Sequence, residues 1–122
     1  MKYFWVGNNN LTGEIPNELW NLPDLYEITV ENNSFTGSIP EFEPGQLQNL
    51  NYLNLQKNNF HSAIPNSICN LDKLIDVLGQ IDQGYSEFLG YNWYYFNIEN
   101  NQFCEGPYPD CIENYIGNQD CP

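Results

Sequence analysis

Hydrophobic and polar positions recur along the chain in one fixed order. Four segments, which begin at Met1, Leu25, Leu50 and Trp93, carry an apolar residue at their first, fourth, sixth and eleventh places. The alternation around the fourth and sixth places predicts a short strand with one buried face. Because the first three segments begin 24 or 25 residues apart, the pattern predicts a solenoid in which parallel strands stack one per repeat.

An asparagine occupies the ninth place of each segment, where the chain turns away from the strand. A buried turn leaves backbone N–H and C=O groups without partners, and an asparagine amide both donates and accepts hydrogen bonds. We therefore predict a structural ladder with one rung per repeat, made of Asn9, Asn33, Asn58 and Asn101.

The remainder of each repeat is predicted to return to the next strand mostly without regular helix. Gly13 and Gly37 permit a tight bend, and the Ile-Pro pairs that follow begin an extended segment. Residues 75–92 lack these landmarks. Their apolar residues recur at helical spacing, which predicts either a helix at 75–90 or one degenerate repeat at 74–92.

The outward-facing strand positions are the candidate binding surface, because repetition turns them into a broad face. Tyr and Trp among them are typical of interaction surfaces. The alternative is that these side chains only shield the sheet. The candidate binding residues are Tyr3, Trp5, Glu27, Thr29, Glu31, Tyr52, Asn54, Gln56, Tyr95, Asn97 and Glu99.

Composition narrows the classes of partner. The chain has 122 residues, enough for one domain, and a formal net charge of −13 with three basic residues. That charge opposes binding to nucleic acid or to an anionic membrane surface. No stretch is long enough for insertion into a membrane, and the apolar run at the start is too short for a secretory signal peptide.

The four cysteines, Cys69, Cys104, Cys111 and Cys121, suggest an oxidising compartment. No two of them are separated as in a Cys-x-x-Cys motif, and the single histidine is far from the last three cysteines in sequence. No metal site is therefore expected. Two disulfides in the C-terminal half are predicted, with three pairings open. When the repeats are aligned, Cys111 falls one place from Cys69, which makes Cys69–Cys111 with Cys104–Cys121 one candidate arrangement.

Enzymatic chemistry and cofactor binding find no support in the sequence. A serine or cysteine nucleophile would need a base, and His61 lies at a turn position where the first two repeats hold Thr12 and Thr36. Two Asn-x-Ser/Thr sequons, at Asn10 and Asn32, are potential glycosylation sites in a secreted eukaryotic protein.

The stretch "NNNLTGEIPNELWNLPDL" and its counterparts resemble the plant-type extracellular class of the leucine-rich repeat family over residues 1–111. The resemblance implies an α/β-type solenoid, a right-handed superhelix with short parallel strands on the concave face and an irregular or 3-10 convex side. It implies one domain over 1–122, with repeats starting at 1, 25, 50 and 93 and a degenerate unit at 74–92. The stretch "NNQFCEGPYPDC" resembles the end of such arrays, which implies a C-terminal cap at 104–122 and favours Cys104–Cys111, leaving Cys69–Cys121.

The family resemblance also implies a function. We expect a non-catalytic extracellular or cell-surface recognition module that binds a protein, peptide or glycan on its concave strand face. The main alternative is a structural solenoid, a fragment of a longer array, that self-associates through an uncapped N-terminal end. An ice-binding surface is less favoured, because it needs long ranks of matching residues and only Thr12 and Thr36 align beyond the ladder.

Overall fold

The computed structural model describes residues 1–78, 87–89 and 92–122. Within them, short strands alternate with turns and brief helical segments. The strands are β1 (Tyr3–Trp5), β2 (Thr12–Glu14), β3 (Glu27–Thr29), β4 (Ser34–Thr36), β5 (Tyr52–Asn54), β6 (Glu87–Leu89) and β7 (Asn92–Asn97). One α-helix, α1, spans Asp72–Leu78, and 3-10 helices span Leu19–Asn21, Asn66–Asn70 and Glu113–Tyr115.

The main sheet contains one strand from each of the four aligned segments. Its order is β1-β3-β5-β7-β6, and the first four strands are parallel. The register pairs Tyr3 with Glu27, Glu27 with Tyr52, and Tyr52 with Tyr95, so the third places of the repeats form one row across the sheet. The predicted stack of short parallel strands is therefore confirmed.

A second sheet lies where the sequence predicted only a bend and an extended segment. Strands β2 and β4 pair in parallel. The same line of contacts continues in the next repeats, where the backbone N–H of His61 donates to the Gly37 carbonyl at 3.0 Å and His61 forms a bridge with Gln102. Gly13 and Gly37 have φ values of +84° and +97°, which glycine adopts without steric cost.

The opposite side of the solenoid carries 3-10 turns, as the resemblance implied. Leu19 and Trp20 are buried in the first of these turns and Ile68 in the second. Since a 3-10 helix is short and its side chains are few, each turn anchors the return segment through one or two buried residues.

The predicted helix at 75–90 is wrong in its extent. Helix α1 ends at Leu78, and residues 87–89 form strand β6, which pairs antiparallel with β7. Residues 79–86 and 90–91 lie outside the described part of the chain. Helical spacing of apolar residues in a short segment also fits a helix followed by a strand, and periodicity does not separate the two arrangements.

The core is a set of columns, one for each apolar place of the repeat. At the eleventh place, the Phe60 ring stacks between the rings of Phe35 and Phe103, with centroids 6.4 Å apart on each side. The fourth and sixth places contribute Ile28, Leu53, Phe96, Val30, Leu55 and Ile98, all fully or almost fully buried. Burial of each such side chain contributes about 1.5–3 kcal/mol, so the columns hold the repeats together.

The asparagine ladder is present, and Asn58 illustrates one rung. Its Nδ2 donates to the carbonyl oxygens of Val30 at 2.9 Å, Leu55 at 3.2 Å and Gln56 at 3.2 Å. Its Oδ1 accepts from the backbone N–H of Phe35 at 3.0 Å. The side chain thus links its own turn to the preceding repeat, which confirms the structural role predicted for this position.

The other predicted rungs repeat this arrangement. Asn33 and Asn101 each bridge to the preceding repeat through both ends of the amide. Asn9, in the first repeat, donates to the carbonyls of Val6 and Gly7 at 2.8 and 3.1 Å. Gln119 forms a further rung beyond the last repeat, because its Nε2 donates to the Ile98 carbonyl at 2.9 Å and its Oε1 accepts from Phe103 N–H at 3.1 Å.

All four cysteines form disulfides, as predicted, but the pairing favoured by the family resemblance is wrong. The bonds are Cys69–Cys111, with Cα atoms 6.0 Å apart, and Cys104–Cys121, with Cα atoms 5.7 Å apart. The stacking argument gave this arrangement as an alternative. The reason is geometric: Cys69 and Cys111 lie on consecutive layers of the return side, packed against the core, and the last turn brings Cys121 back beside Cys104.

The apolar side chains of the first repeat are less buried than their counterparts in the later repeats. Met1 is 67 % exposed, and Leu11, which has core counterparts in the later repeats, is also exposed. Phe4 and Val6 are only partly buried. Over the ranges that the structure describes, no helix combines the length and apolar character that a membrane crossing requires.

Candidate functional site

The strand face is defined here as the outward side chains at the third, fifth and seventh places of the four repeats. These places alternate with the buried fourth and sixth places, so a pleated strand directs them away from the core. The members are Tyr3, Trp5, Gly7, Glu27, Thr29, Glu31, Tyr52, Asn54, Gln56, Tyr95, Asn97 and Glu99.

Two tyrosines form a stacked pair on this face. The rings of Tyr52 and Tyr95, on the paired strands β5 and β7, have centroids 4.8 Å apart and planes inclined by 18°. The Tyr95 hydroxyl accepts hydrogen bonds from Gln56 Nε2 at 3.3 Å and Asn97 Nδ2 at 3.1 Å. These contacts fix the two rings and leave both tyrosines half-buried.

A second aromatic group lies at the other end of the face. Trp5 is 63 % exposed and Tyr3 is 49 % exposed, with ring centroids 5.2 Å apart. The indole N–H of Trp5 donates to Glu27 Oε1 at 3.2 Å. Because Glu27 pairs with Tyr3 on one side and Tyr52 on the other, its carboxylate lies among three aromatic side chains.

Glu31 occupies the space left by a glycine. A Cβ atom added at Gly7 would collide with the Glu31 carboxyl group, so the glycine allows this side chain to lie across the first repeat. The Oε2 atom of Glu31 is buried and has no hydrogen-bond partner in the described part of the molecule. A buried carboxylate oxygen without a hydrogen-bond partner carries a desolvation cost.

The pKa of Tyr52 reflects the electrostatic environment of the face. Burial is the largest cause that raises the pKa of its hydroxyl above the ordinary value of 10.0, followed by Tyr95 and then by the charges of Glu27 and Glu31. Both carboxylates therefore act on the same point of the face, between β3 and β5.

Two predicted binding residues are not exposed. Asn54 and Asn97 are each only 7 % exposed, which corrects the expectation that every outward position is available to a partner. Their Oδ1 atoms accept hydrogen bonds from the backbone N–H groups of Gln56 at 3.2 Å and Glu99 at 2.9 Å. These asparagines are engaged in structural contacts that strand alternation does not reveal.

Two further predicted positions are only partly accessible. Thr29 is half-buried between the two aromatic groups, and Glu99 is half-buried at the C-terminal end. A Cβ atom added at Gly117 would collide with the Glu99 side chain, so the tail of the chain covers one side of it.

One aromatic residue near the face was missed by sequence reasoning. Tyr26 lies 6.4 Å from Tyr3, between ring centroids, and the Nζ atoms of Lys2 and Lys73 lie 6.0 and 5.6 Å from its ring. These distances suit cation–π contacts. Tyr26 stands at the second place of its repeat, which has no periodic pattern, so the repeat alignment gave no indication of it.

The sequon asparagines, Asn10 and Asn32, are both exposed. Asn32 Nδ2 donates to Asn8 Oδ1 at 2.8 Å, and both residues have φ near +60°. Asparagine adopts this backbone conformation more readily than most residues. Glycosylation of these positions stays a prediction.

An open groove outside the face also carries polar side chains. His61 Nδ1 lies 2.7 Å from Ser62 Oγ on an exposed turn, in a groove of about 510 Å³ that Glu105 and Asp120 also line. Across the described ranges, no group of three or more His, Cys, Asp or Glu side chains is arranged to hold a metal ion.

Comparison with known proteins places the repeats in a family. The model of the leucine-rich repeat family matches residues 1–22 and 49–71. The chain is 40 % identical over 72 residues to pollen receptor-like kinase 2 of Arabidopsis thaliana, which covers 59 % of this chain and 10 % of that protein. It is 42 % identical over 96 residues to receptor-like protein 53 of the same plant, covering 60 % of this chain and 10 % of the relative.

Solved structures share the fold over nearly the whole chain. The leucine-rich repeat ectodomain of the Arabidopsis thaliana membrane receptor kinase GASSHO1/SCHENGEN3, crystallised with CASPARIAN STRIP INTEGRITY FACTOR 2, superposes with a TM-score of 0.68 at 24 % identity. The match covers 98 % of this chain and 13 % of that one. The chain thus spans about a tenth of the length of the curated relatives it matches. The family match and the stack of short parallel strands show that the chain has the leucine-rich repeat fold, and its repeats are similar to those of plant receptor-like proteins and kinases.

Proposed function

We propose that the chain is a non-catalytic recognition module that binds a protein or peptide on its strand face. The observation that carries this proposal is the exposure of large aromatic side chains on a rigid sheet, where Trp5 is 63 % exposed and Tyr3 49 % exposed. Aromatic side chains bury much area at a small entropic cost and are enriched at the energetic centres of interfaces. A face used only to shield the sheet would not need to expose an indole ring.

The relatives support this proposal and an extracellular or cell-surface location. The curated relatives are receptor-like proteins and kinases, and one structural neighbour is an ectodomain in complex with another molecule, CASPARIAN STRIP INTEGRITY FACTOR 2. The two disulfides also favour an oxidising compartment. Among the ligand classes, we propose a protein or a peptide rather than a glycan.

Peptide selection followed by calorimetry tests the proposal. Random peptides displayed on phage are selected against the immobilised chain, and selected peptides are synthesised for measurement. We expect Trp5→Ala and Tyr52→Ala each to weaken binding by about 1 kcal/mol or more, because each removes aromatic contact area from the face.

Asn17→Ala is the matched control, because Asn17 is exposed and lies next to the 3-10 turn on the return side. Thermal unfolding of each variant separates lost binding from lost folding. Equal affinities for the face variants and the control would contradict the proposal.

Self-association is a second candidate function, supported by the exposed apolar side chains of the first repeat. Strand β1 lies at one end of the sheet, and exposed Met1 and Leu11 lie beside it. An unpaired strand edge with apolar side chains favours pairing with another chain. The net charge of −13 opposes contact, but at physiological salt the Debye length of about 8 Å weakens that repulsion.

Light scattering over a range of protein concentrations tests this second candidate. We expect the average mass to rise with concentration at moderate salt, and Leu11→Asp to suppress the rise while Asn114→Asp leaves it unchanged. A constant monomer mass for the unmodified chain would contradict it.

A further inference from the structure

We infer that the strand face binds a cationic side chain, an arginine or lysine on an extended segment of the partner, between the carboxylates of Glu27 and Glu31 and the rings of Trp5 and Tyr52. This inference rests on the proposed function and specifies the chemistry of the partner.

The charge of the face is of one sign. Three of its twelve side chains are glutamate, and none is lysine, arginine or histidine. Lys2 and Lys73 lie near Tyr26, where they contact its ring, and Lys57 follows the face at an exposed turn position. The carboxylates at the middle of the face thus attract a cationic partner and repel an anionic one.

The aromatic groups favour a cation over other polar ligands. Glu27 lies between Tyr3 and Tyr52 in the register of the sheet, and the indole of Trp5 holds one of its oxygens. A guanidinium or ammonium group beside this carboxylate would also contact the faces of aromatic rings, and cation–π contact adds to the attraction. An arginine side chain suits this setting especially well, because it is planar, stacks on rings and donates to both carboxylate oxygens.

Glu31 offers an acceptor that nothing in the described chain uses. Its Oε2 is buried without a hydrogen-bond donor, and the backbone continues the parallel pairing here, since Asn8 N–H donates to the Glu31 carbonyl at 2.9 Å. Glu31 occupies the seventh place of its repeat, in the row of the face next to the fifth-place row that holds Trp5 and Thr29. Because this oxygen is enclosed, Glu31 acts on a partner through its charge, which attracts a cation and offers no such attraction to a neutral apolar side chain.

The extended form of the partner follows from the length of the site. The face crosses four strands spaced about 4.8 Å apart, and the two aromatic groups stand on β1 and on β5 with β7. A segment that runs across the strands can place its cation at Glu27 and Glu31 and a neighbouring side chain on the Tyr52–Tyr95 pair. The inference therefore predicts a basic residue with an apolar or aromatic neighbour in the partner.

A pair of small probes tests the cation directly. N-acetyl-arginine amide and its neutral isostere N-acetyl-citrulline amide are titrated into isotope-labelled protein and followed by NMR. We expect the arginine probe to shift the Trp5 indole N–H and the backbone N–H signals of Glu27 and Thr29 in a saturable way. The citrulline probe should bind at least about fivefold more weakly.

Glu27→Gln is the decisive variant, because glutamine has the same shape and still accepts the Trp5 hydrogen bond. We expect this substitution to weaken binding of the arginine probe by about fivefold to tenfold. Glu18→Gln is the matched control, since Glu18 is an exposed carboxylate on the return side and its loss changes the net charge equally.

The outcomes separate this inference from the proposed function. The cation site would be overturned if both probes gave equal responses, or if the arginine probe bound the Glu27→Gln and Glu18→Gln variants with equal affinity. Library peptides that need Trp5 and Tyr52 but carry no required arginine or lysine would overturn the inference and leave the proposed function standing. Library peptides whose affinity does not depend on the face at all would overturn both.

Discussion

A single asparagine side chain satisfies the backbone at each turn of this solenoid. Asn58 is 6 % exposed and engages three carbonyls and one N–H, drawn from its own repeat and the preceding one. No apolar residue of similar volume offers both a donor and an acceptor. The hydrogen bonds therefore set the identity of this residue, although its burial alone would favour a leucine.

Asn58→Leu is predicted to destabilise the fold by about 1–3 kcal/mol, because the turn's backbone groups would be buried without partners. Denaturant unfolding measures the change. Asn114→Leu is the control, since Asn114 is exposed in the last 3-10 helix. If both variants unfold at the same denaturant concentration as the parent chain, the ladder is not a stabilising structure.

Tyr52 provides a pH test of the face. Burial, Tyr95 and the two glutamates raise the pKa of its hydroxyl above 10.0. Between 10.0 and that raised pKa, the unfolded chain loses the proton that the native chain keeps, so the free energy of unfolding falls as pH rises. The contribution of Tyr52 to stability is present below pH 10.0 and lost above it.

Subtracting the phenolate titration of a Tyr52→Phe variant from that of the parent chain isolates this group. We expect its midpoint to lie above 10.0, and to move down in a Glu27→Gln background, where one of the charges that raise the pKa is absent. A midpoint at or below 10.0 would show that the carboxylates and the second ring do not act on Tyr52.

The role of a residue was predictable from the sequence where its position recurs in every repeat. It was unpredictable where contacts with a neighbouring residue decide its burial. The four ladder asparagines recur at the ninth place, so the alignment revealed them. Asn54 and Asn97 occupy outward positions in the strand alternation, yet both are buried. Their side chains accept hydrogen bonds from backbone N–H groups two residues further along the chain. Gln119 lies outside every repeat, and only the folded tail shows that it completes the ladder.

Strands, too, were predictable from the sequence only where their apolar pattern recurs in each repeat. The main strands came from the alternation of apolar residues, which recurs in each repeat. Strands β2 and β4 did not, because only Phe35 among their side chains is buried, so they show no alternation of apolar and polar residues. The antiparallel strand β6 also escaped prediction, since its residues follow the helical spacing of the segment before it.

Gln119→Ala tests whether the C-terminal tail completes the last coil. The side chain donates to the carbonyls of Ile98 and Ile116 and accepts from Phe103 N–H. Its loss is predicted to cost about 1–3 kcal/mol of unfolding free energy. Gln48→Ala, at an exposed position, should stay within about 0.5 kcal/mol of the parent chain. Equal stability of the two variants would show that the tail is not part of the stack.

The molecule combines a strongly acidic surface with a rigid aromatic face. Stacked phenylalanine rings, asparagine rungs and two disulfides hold the coils in register, so the outward side chains are ordered before any partner arrives. Preorganisation of this kind reduces the entropy lost on binding. The net charge of −13 then favours basic partners and makes their association sensitive to salt.

Photo-cross-linking of a selected peptide is the most direct test of where the partner binds. The peptide carries a photoreactive side chain at its centre, and the linked residues are located by mass spectrometry. We predict adducts on the strands Tyr3–Trp5, Glu27–Thr29 and Tyr52–Asn54. Adducts concentrated on the 3-10 turns Leu19–Asn21 and Asn66–Asn70 would contradict the assignment of the strand face as the recognition surface.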